Sequence, residues 1–519
     1  MGVASSSHPR RRAVALLVLA VGLGVLVALA LRSGDPSRPG GSSQAGGQAQ
    51  AGAASEPGDT TRGADAPPPL DFSAPPSSPD SLRPGAALGK GVDPLAYEPD
   101  RRAAYERRAG RGLAHVLYAK SPGGAVATAA RVAAWRPLVE KAAVRGGIDP
   151  DTLEAIVFLE SAGRPDAQAG SDLRGAVGLT QILAETGQNL LGMKIDVERS
   201  ARLTRGIRRG RKVAERTRKR RRSDERFDPA KALAATVRYL RFARGELDGR
   251  NDMAVVGYHM GVGNLKTVLK RFGADDDTRY SEVFFSASPL RKADAYAKLA
   301  ALGDDSSTYL WRVGAAEEIM RRWRADPTAL AAQAELQTSK NSSEEVLHPS
   351  GATERFGDPF ELGRARAAGT LKALDPRELA SWGVRIDRGM GELAPRLKQS
   401  KRLYRALRPE SLAVLEYLGT GVRNISGSDA PLVLTSTARD ASYQRLLTRR
   451  NIEATRNYSL HTTGFAFDVK RKYASGRQAR AFQFLLDRLS ALNLIAWVRE
   501  PGAIHVTVAG DAERLLRPG

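Results

Sequence analysis

The chain has 519 residues, 80 of them Lys or Arg against 57 Asp or Glu, a formal net charge of +23, and no cysteine. This length accommodates two or three domains, each with a sizeable core. The missing cysteines exclude disulfides, thiolate metal sites and cysteine nucleophiles, while the basic excess favours polyanionic surroundings.

Arg10, Arg11 and Arg12 precede an uncharged apolar run from Ala13 to Leu31, and Arg32 follows it. The run is just long enough to span a bilayer as a helix, with the arginine cluster retained in the cytoplasm. The sequence thus predicts a cytoplasmic tail over 1–12, a single-pass transmembrane helix over 13–31 and an extracytoplasmic body. A cleaved signal peptide is the alternative, since Ala28-Leu29-Ala30 resembles a cleavage site, and it would leave the protein secreted. The length of the apolar run favours the anchor. Residues 32–100 are rich in Gly, Pro, Ser and Ala and cannot bury a core, so they are expected to form a disordered stalk. Such a coil spans roughly 40–50 Å on average.

A mainly α domain is expected over 101–326, with amphipathic segments at 126–141, 229–247 and 308–323. Within it, Asp149-Pro150 opens a helix by capping its free N–H groups and fixing its first position. Leu153, Ile156 and Val157 repeat at helical spacing, and Glu160 falls on the same stripe before Ala162-Gly163 ends the helix. A carboxyl on an apolar face should have a raised pKa and so serve as a general acid at neutral pH. Downstream stand Gly178-Leu179-Thr180-Gln181-Ile182, Phe227-Asp228-Pro229 and Tyr258-His259-Met260-Gly261. Between Arg199 and Arg222 there are thirteen Lys or Arg and one acid, Glu215. This stretch reads either as a solvated helix or loop, or as a tether to anionic wall polymers or phospholipid head groups.

The Glu160-Ser161 helix end, the Gln181 loop and the Tyr258 segment, in that order, resemble the lytic transglycosylases and goose-type lysozymes over roughly 110–325. The resemblance implies a lysozyme-like fold and peptidoglycan as substrate. It implies Glu160 as the acid/base that cleaves between MurNAc and GlcNAc, without consuming water. Ser161 would orient Glu160, and Gln181, Tyr258 and His259 would contact sugar or shape the cleft. Two departures stand out: His259 replaces the family's Asn, and the loop from Glu160 to Gly178 is longer than usual. Asp166 and Asp172 on that loop would serve a hydrolytic variant.

Residues 327–358 lose helical periodicity and read as a second linker. From 359 to 519, helical stretches (376–381, 411–418, 479–491) alternate with strand-like runs (431–435, 466–469, 495–499, 503–508), which predicts an α+β domain. Pro501-Gly502 makes a tight turn between the last two strands. This domain contains Ser459-Leu460-His461-Thr462-Thr463-Gly464-Phe465-Ala466-Phe467-Asp468, and its other histidine is His505. Two imidazoles and a carboxylate, with one position open, suit a catalytic zinc. The Ser-x-His-x-x-Gly-x-Ala-x-Asp pattern resembles the zinc D-Ala-D-Ala carboxypeptidases of the VanY type, relatives of the hedgehog-fold peptidases, over about 405–510. The resemblance implies His461, Asp468 and His505 as zinc ligands, with Arg439 and Gln444 as substrate contacts. That family places its catalytic Glu three residues before the last histidine. Here the nearest preceding acid is Glu500, five residues before His505, and it is the candidate base.

The chain therefore reads as a multidomain, envelope-anchored peptidoglycan remodelling protein in which one module cuts glycan and the other trims stem peptides. A wall-binding scaffold with both sites degenerate is the competing class. Nucleic acid is not expected as a partner, because no readout motif accompanies the charge. Nothing in the sequence points to an obligate oligomer.

Overall fold

The computed structural model describes residues 93–449 and 458–517. The expected tail, the apolar segment at 13–31 and most of the stalk lie outside them. Among the described residues, no helix is long and apolar enough to cross a membrane.

The first part is helical. Its elements include α1 (Arg102–Gly112), α2 (Gly124–Ala133), α3 (Arg136–Gly146) and α4 (Pro150–Ser161). Next come α5 (Val197–Arg208), α6 (Val213–Ser223), α7 (Pro229–Glu246) and α8 (Asn251–Met260). The long α9 (Tyr309–Ala325) runs through the middle, buried without interruption from Tyr309 to Met320. The amphipathic segment expected at 126–141 is two helices, because the chain turns at Ala134-Trp135 before Pro137 enters α3. Helix α4 starts where expected: the Asp149 carboxylate accepts from the Asp151 N–H, and Leu153, Ile156 and Val157 are fully buried. It packs against α9 and α3.

The stretch expected to link the two domains is folded. Asp326 caps α10 (Pro327–Thr338), accepting from the Thr328 and Ala329 N–H groups, and Leu330 is fully buried. Helix α10 lies back on α2 and α9. Its small Ala-rich face needs only one large apolar anchor, so hydrophobic periodicity is faint. A single turn, α11 (Glu344–Leu347), follows and rests on the C-terminal sheet.

The second part is α+β, as expected. Strands β1 (Val384–Ile386), β2 (Leu432–Ser436), β3 (Ala466–Lys470), β4 (Ile495–Arg499) and β5 (Ala503–Val508) form a sheet of order β1-β2-β3-β5-β4. The β1–β2 pair is parallel and the other pairs are antiparallel. One face buries Leu434, Phe467, Val469, Ile504 and Val506 in a core shared with α12 (Pro409–Ser426) and α13 (Gly476–Ala491). Alternation sends Asp468, His505 and Thr507 to the opposite face.

The two parts share one core, which runs from Tyr105 of α1 through Trp311 of α9 to Phe482 and Leu489 of α13. At the junction, the half-buried Arg488 guanidinium donates to the carbonyls of Phe284, Phe285 and Ala287. Arg108 donates to the Leu492 carbonyl at 3.1 Å and pairs with Asp511.

Two measurements test this packing. Arg488→Met leaves three carbonyls without their donor and should lower the free energy of unfolding by about 2 kcal/mol in urea; an unchanged midpoint would remove Arg488 from the junction. Glu317 of α9 is buried beneath α4 and accepts from the Thr152 hydroxyl at 2.8 Å. Burial raises its carboxyl from 4.5 to about 8, and the charges of Asp149 and Asp151 push the same way. The folded chain therefore holds this proton after the unfolded chain has released it. The group's contribution is complete below pH 4.5 and is lost as pH rises to about 8. Glu317→Gln should flatten stability against pH across that window and raise stability at neutral pH by up to about 3 kcal/mol. A slope identical to the parent's would sink the assignment.

Candidate functional site

Glu160 lies in the last turn of α4, 8% exposed. Its Oε1 accepts a hydrogen bond from the Tyr309 hydroxyl at 2.5 Å. Tyr309 opens α9, so two helices that pack extensively against each other also supply this pair. The Tyr309 ring lies 5.2 Å, centroid to centroid, from the half-buried His259 ring at the end of α8. Next to it, Tyr258 donates to the Thr180 carbonyl at 2.6 Å and meets the Tyr239 ring edge-on at 5.2 Å. Tyr258 thus ties α8 to the 178–182 loop, and Glu160, Tyr309, His259, Tyr258 and Thr180 form one chain of contacts.

The loop has a strained backbone. Gln181 has φ 50° and donates through Nε2 to the Gly178 carbonyl at 2.8 Å. Gly178 has φ 85°, and a Cβ there would stand 1.9 Å from the Arg226 carbonyl oxygen, so the position demands glycine. Arg226 organises the surroundings. Fully buried, it pairs with Asp224 at 2.8 Å and donates to the carbonyls of Leu173, Gly175 and Ile182. The Ser161 hydroxyl donates to the Val157 carbonyl one turn back at 3.2 Å. Asp166 and Asp172 are exposed on the long loop.

The basic segment is an ordered pair of packed helices, α5 and α6. Arg220 is buried over the Phe227 ring at 4.0 Å, whereas Arg199, Arg202, Arg205 and Arg222 are exposed. Arg208 donates to Gln168 at 2.8 Å, which sets the hairpin against the loop that follows Glu160.

The second constellation lies on the polar face of the sheet. His461 sits on a 3-10 turn (Leu460–Thr463), and Asp468 of β3 is directly opposite His505 of β5. All three are buried. The Asp468 Oδ1 lies 3.2 Å from His461 Nε2 and 2.9 Å from His505 Nδ1. One donor atom from each residue falls within 4.8 Å of the other two. The remaining ring nitrogens are occupied: His461 Nδ1 lies 3.0 Å from the Thr437 carbonyl, and His505 Nε2 lies 3.3 Å from Glu344 Oε2. Burial, reinforced by Arg439, pushes the His461 imidazolium down to about 4. At His505 burial acts in the same direction but is outweighed by Asp468 and Glu344, which raise it to about 10. Two convergent imidazoles and a carboxylate, each imidazole braced on its far nitrogen, fit the donor set of a four-coordinate zinc with one position open.

Arg439 is committed within the site, donating to Gln444 at 3.1 Å and to Ser436, and lying 3.4 Å from Asp468 Oδ2. Gln444 is buried. Arg439 thus touches Asp468 directly, and Gln444 touches Arg439. Glu500 stands at the β4–β5 turn, its N–H bonded to the Ala503 carbonyl at 2.9 Å. Val498 is opposite His505, so Glu500, two residues on, falls on the same face as His505 and Asp468.

Sequence reading missed Tyr309, Arg226 and Glu344. Tyr309 and Arg226 sit in segments whose helices were legible, but nothing distinguished their polar ends from ordinary core or surface positions. Glu344 lies where no periodicity was visible.

Residues 137–204 and 208–281 match the family described as Transglycosylase SLT domain. The match includes Glu160, Ser161, Gln181, Tyr258 and His259. Tyr309 and the α+β part lie beyond it. The chain is 25% identical over 207 residues to a "Membrane-bound lytic murein transglycosylase F" of Desulfosudis oleivorans, covering 38% of this chain and 38% of that protein. It is 38% identical over 69 residues to an "Endo-type membrane-bound lytic murein transglycosylase A" of Salmonella paratyphi B, covering 13% of this chain and 32% of that protein. The same figures hold for the protein of that name in Salmonella enteritidis. The chain thus spans about a third of the length of the curated relatives it matches.

Arg226→Met should cost about 3–5 kcal/mol, because it strands the Asp224 charge in the interior. Limited proteolysis should then cut first within 173–182. Cleavage no faster than in the parent would show that the loop holds its shape without the guanidinium.

Proposed function

We propose that the chain is an envelope-anchored peptidoglycan remodelling protein whose helical domain is a lytic transglycosylase. The observation that carries this reading is Glu160, buried at a helix end and held by the Tyr309 hydroxyl, within a stretch that matches the SLT family. Glu160 donates its proton to the glycosidic oxygen between MurNAc and GlcNAc as the bond to the muramyl anomeric carbon breaks. The Glu160 carboxylate then takes the proton of the muramyl 6-hydroxyl, and that oxygen closes onto the anomeric carbon. The product is a 1,6-anhydro sugar, water is not consumed, and Glu160 ends as it began. A single carboxyl suffices because the second nucleophile belongs to the substrate, unlike the paired carboxylates of most glycosidases. Gln181, Tyr258 and His259 shape the cleft around the sugar.

The α+β domain is proposed as a zinc carboxypeptidase acting on stem peptides of the same polymer. His461, Asp468 and His505 would hold the zinc, which when bound supplies Lewis acidity and an activated water. Arg439 and Gln444 orient Asp468, and Glu500 moves the proton. The exposed arginines of α5 and α6 would hold anionic wall polymer or phospholipid head groups near the cleft. The apolar run at 13–31 would anchor the whole in the membrane.

Mass spectrometry of peptidoglycan incubated with the purified chain tests this reading. Anhydro-muramyl products are expected, and Glu160→Gln should abolish them. Tyr309→Phe should lower kcat about ten- to a hundredfold with little change in KM. Reducing-end products would make the helical domain a hydrolase. Loss of a terminal stem residue that persists in Glu160→Gln would support the second activity. No change on several wall types would favour the binding scaffold.

A further inference from the structure

Glu344 does not belong to the α+β domain in sequence, yet it is buried against that domain's candidate metal centre. It sits on α11, in the segment that joins the two parts, and is 5% exposed. Its Oε2 lies 3.3 Å from His505 Nε2 and accepts from the Thr507 hydroxyl at 3.4 Å. Lys340 holds the other carboxylate oxygen at 2.8 Å. The ring orientation of His505 is therefore decided: Nδ1 faces Asp468 and the ligand cluster, and Nε2 faces away, between Glu344 and Thr507.

This orientation has a chemical consequence. An imidazole can offer a lone pair to a metal through one nitrogen only if the proton resides on the other. A carboxylate at Nε2 fixes the proton there, leaves Nδ1 as the ligand and increases its basicity. His461 is braced differently, by the neutral carbonyl of Thr437. We propose that Glu344 is a positioning residue for metal binding. It is supplied by the interdomain segment and sets His505 as an Nδ1 ligand, so that the metal affinity of the C-terminal domain depends on how α11 is seated.

Seating depends on further contacts. Lys340 also donates to the Tyr458 carbonyl at 2.8 Å. His348, one residue past α11, stacks on Phe465 with centroids 3.9 Å apart, and its Nε2 lies 2.6 Å from the Val508 carbonyl oxygen. The segment is thus clamped on both sides of Glu344. It lies across β5 as a brace whose carboxylate faces His505 from behind.

The inference rests on the zinc reading given above, and the experiment separates their failures. Zinc dissociation constants are measured on the full chain by competition with a fluorescent chelator, and the visible spectrum of the cobalt-substituted protein is recorded. The parent should bind one zinc, and His461→Ala should abolish binding. Glu344→Ala should weaken binding about ten- to a hundredfold and alter the cobalt spectrum, with the isosteric Glu344→Gln in between. Should Glu344→Ala fail to fold, Glu344→Gln decides: a several-fold loss supports the proposal. No zinc bound by the parent would overturn the zinc reading and this proposal with it. Zinc bound by the parent, with unchanged affinity and spectrum in the Glu344 variants, would overturn this proposal alone.

Discussion

The arrangement of the molecule depends on Arg488. Its guanidinium leaves the α+β domain and donates to three carbonyls at the end of a helix (Tyr280–Ser286) in the other domain. Those are carbonyls that a helix end leaves without partners of its own. A basic side chain is the usual remedy, and here it comes from across a domain boundary. The same guanidinium lies over the Phe284 and Phe285 rings, which bury against Tyr105 and Trp311. Capping and apolar packing therefore coincide. Close approach reinforces them: a Cβ at Gly112 would come within 2.0 Å of the Ser490 carbonyl oxygen, so α1 meets the end of α13 backbone to backbone. The candidate glycan site and the candidate metal centre are consequently two faces of one body. A polymer engaged at both would have to present its sugar and its peptide at a fixed spacing.

The candidate glycan site depends on a similar device. Arg226 and Asp224 are both inaccessible to solvent, and a pair so buried adds little net stability by itself. Its value is in shape. The guanidinium's remaining donors fix three carbonyls of the loop around Gly178, holding Gln181 at positive φ beside the Tyr258 anchor. The longer loop after Glu160 would otherwise have more freedom than a catalytic cleft tolerates. A buried charge serves here as a template for irregular backbone.

Much of this was legible in the sequence because it follows from local chemistry. Asp149-Pro150 marks the start of α4, and alternation marks β4 and β5 to the residue. The convergence of His461, Asp468 and His505 was also readable, since the metal-ligand chemistry constrains the residue types. What was not legible was long-range. The Tyr309–Glu160 bond joins residues 149 apart, and nothing local distinguishes that tyrosine from its buried neighbours. The fold of 327–358 escaped notice because its burial is against distant elements, not within a stripe of its own. The Ser161 hydroxyl bonds the carbonyl one turn back, a contact that a helical hydroxyl makes readily.

In the proposed mechanism, the Tyr309 bond also bears on how one carboxyl could serve as acid and then base. Tyr309 donates to Oε1, so a proton ready for delivery is better carried by Oε2, because the oxygen that accepts the phenol hydrogen bond retains carbonyl character. Once that proton has gone, the same bond stabilises the carboxylate and moderates its basicity. The His259 ring packs against Tyr309 where the resembling family has Asn. A bulkier, titratable neighbour at that point acts on the carboxyl indirectly, through the phenol that holds it. Position 259 therefore touches the phenol that holds Glu160, so in the proposed mechanism a change there would reach the carboxyl through Tyr309.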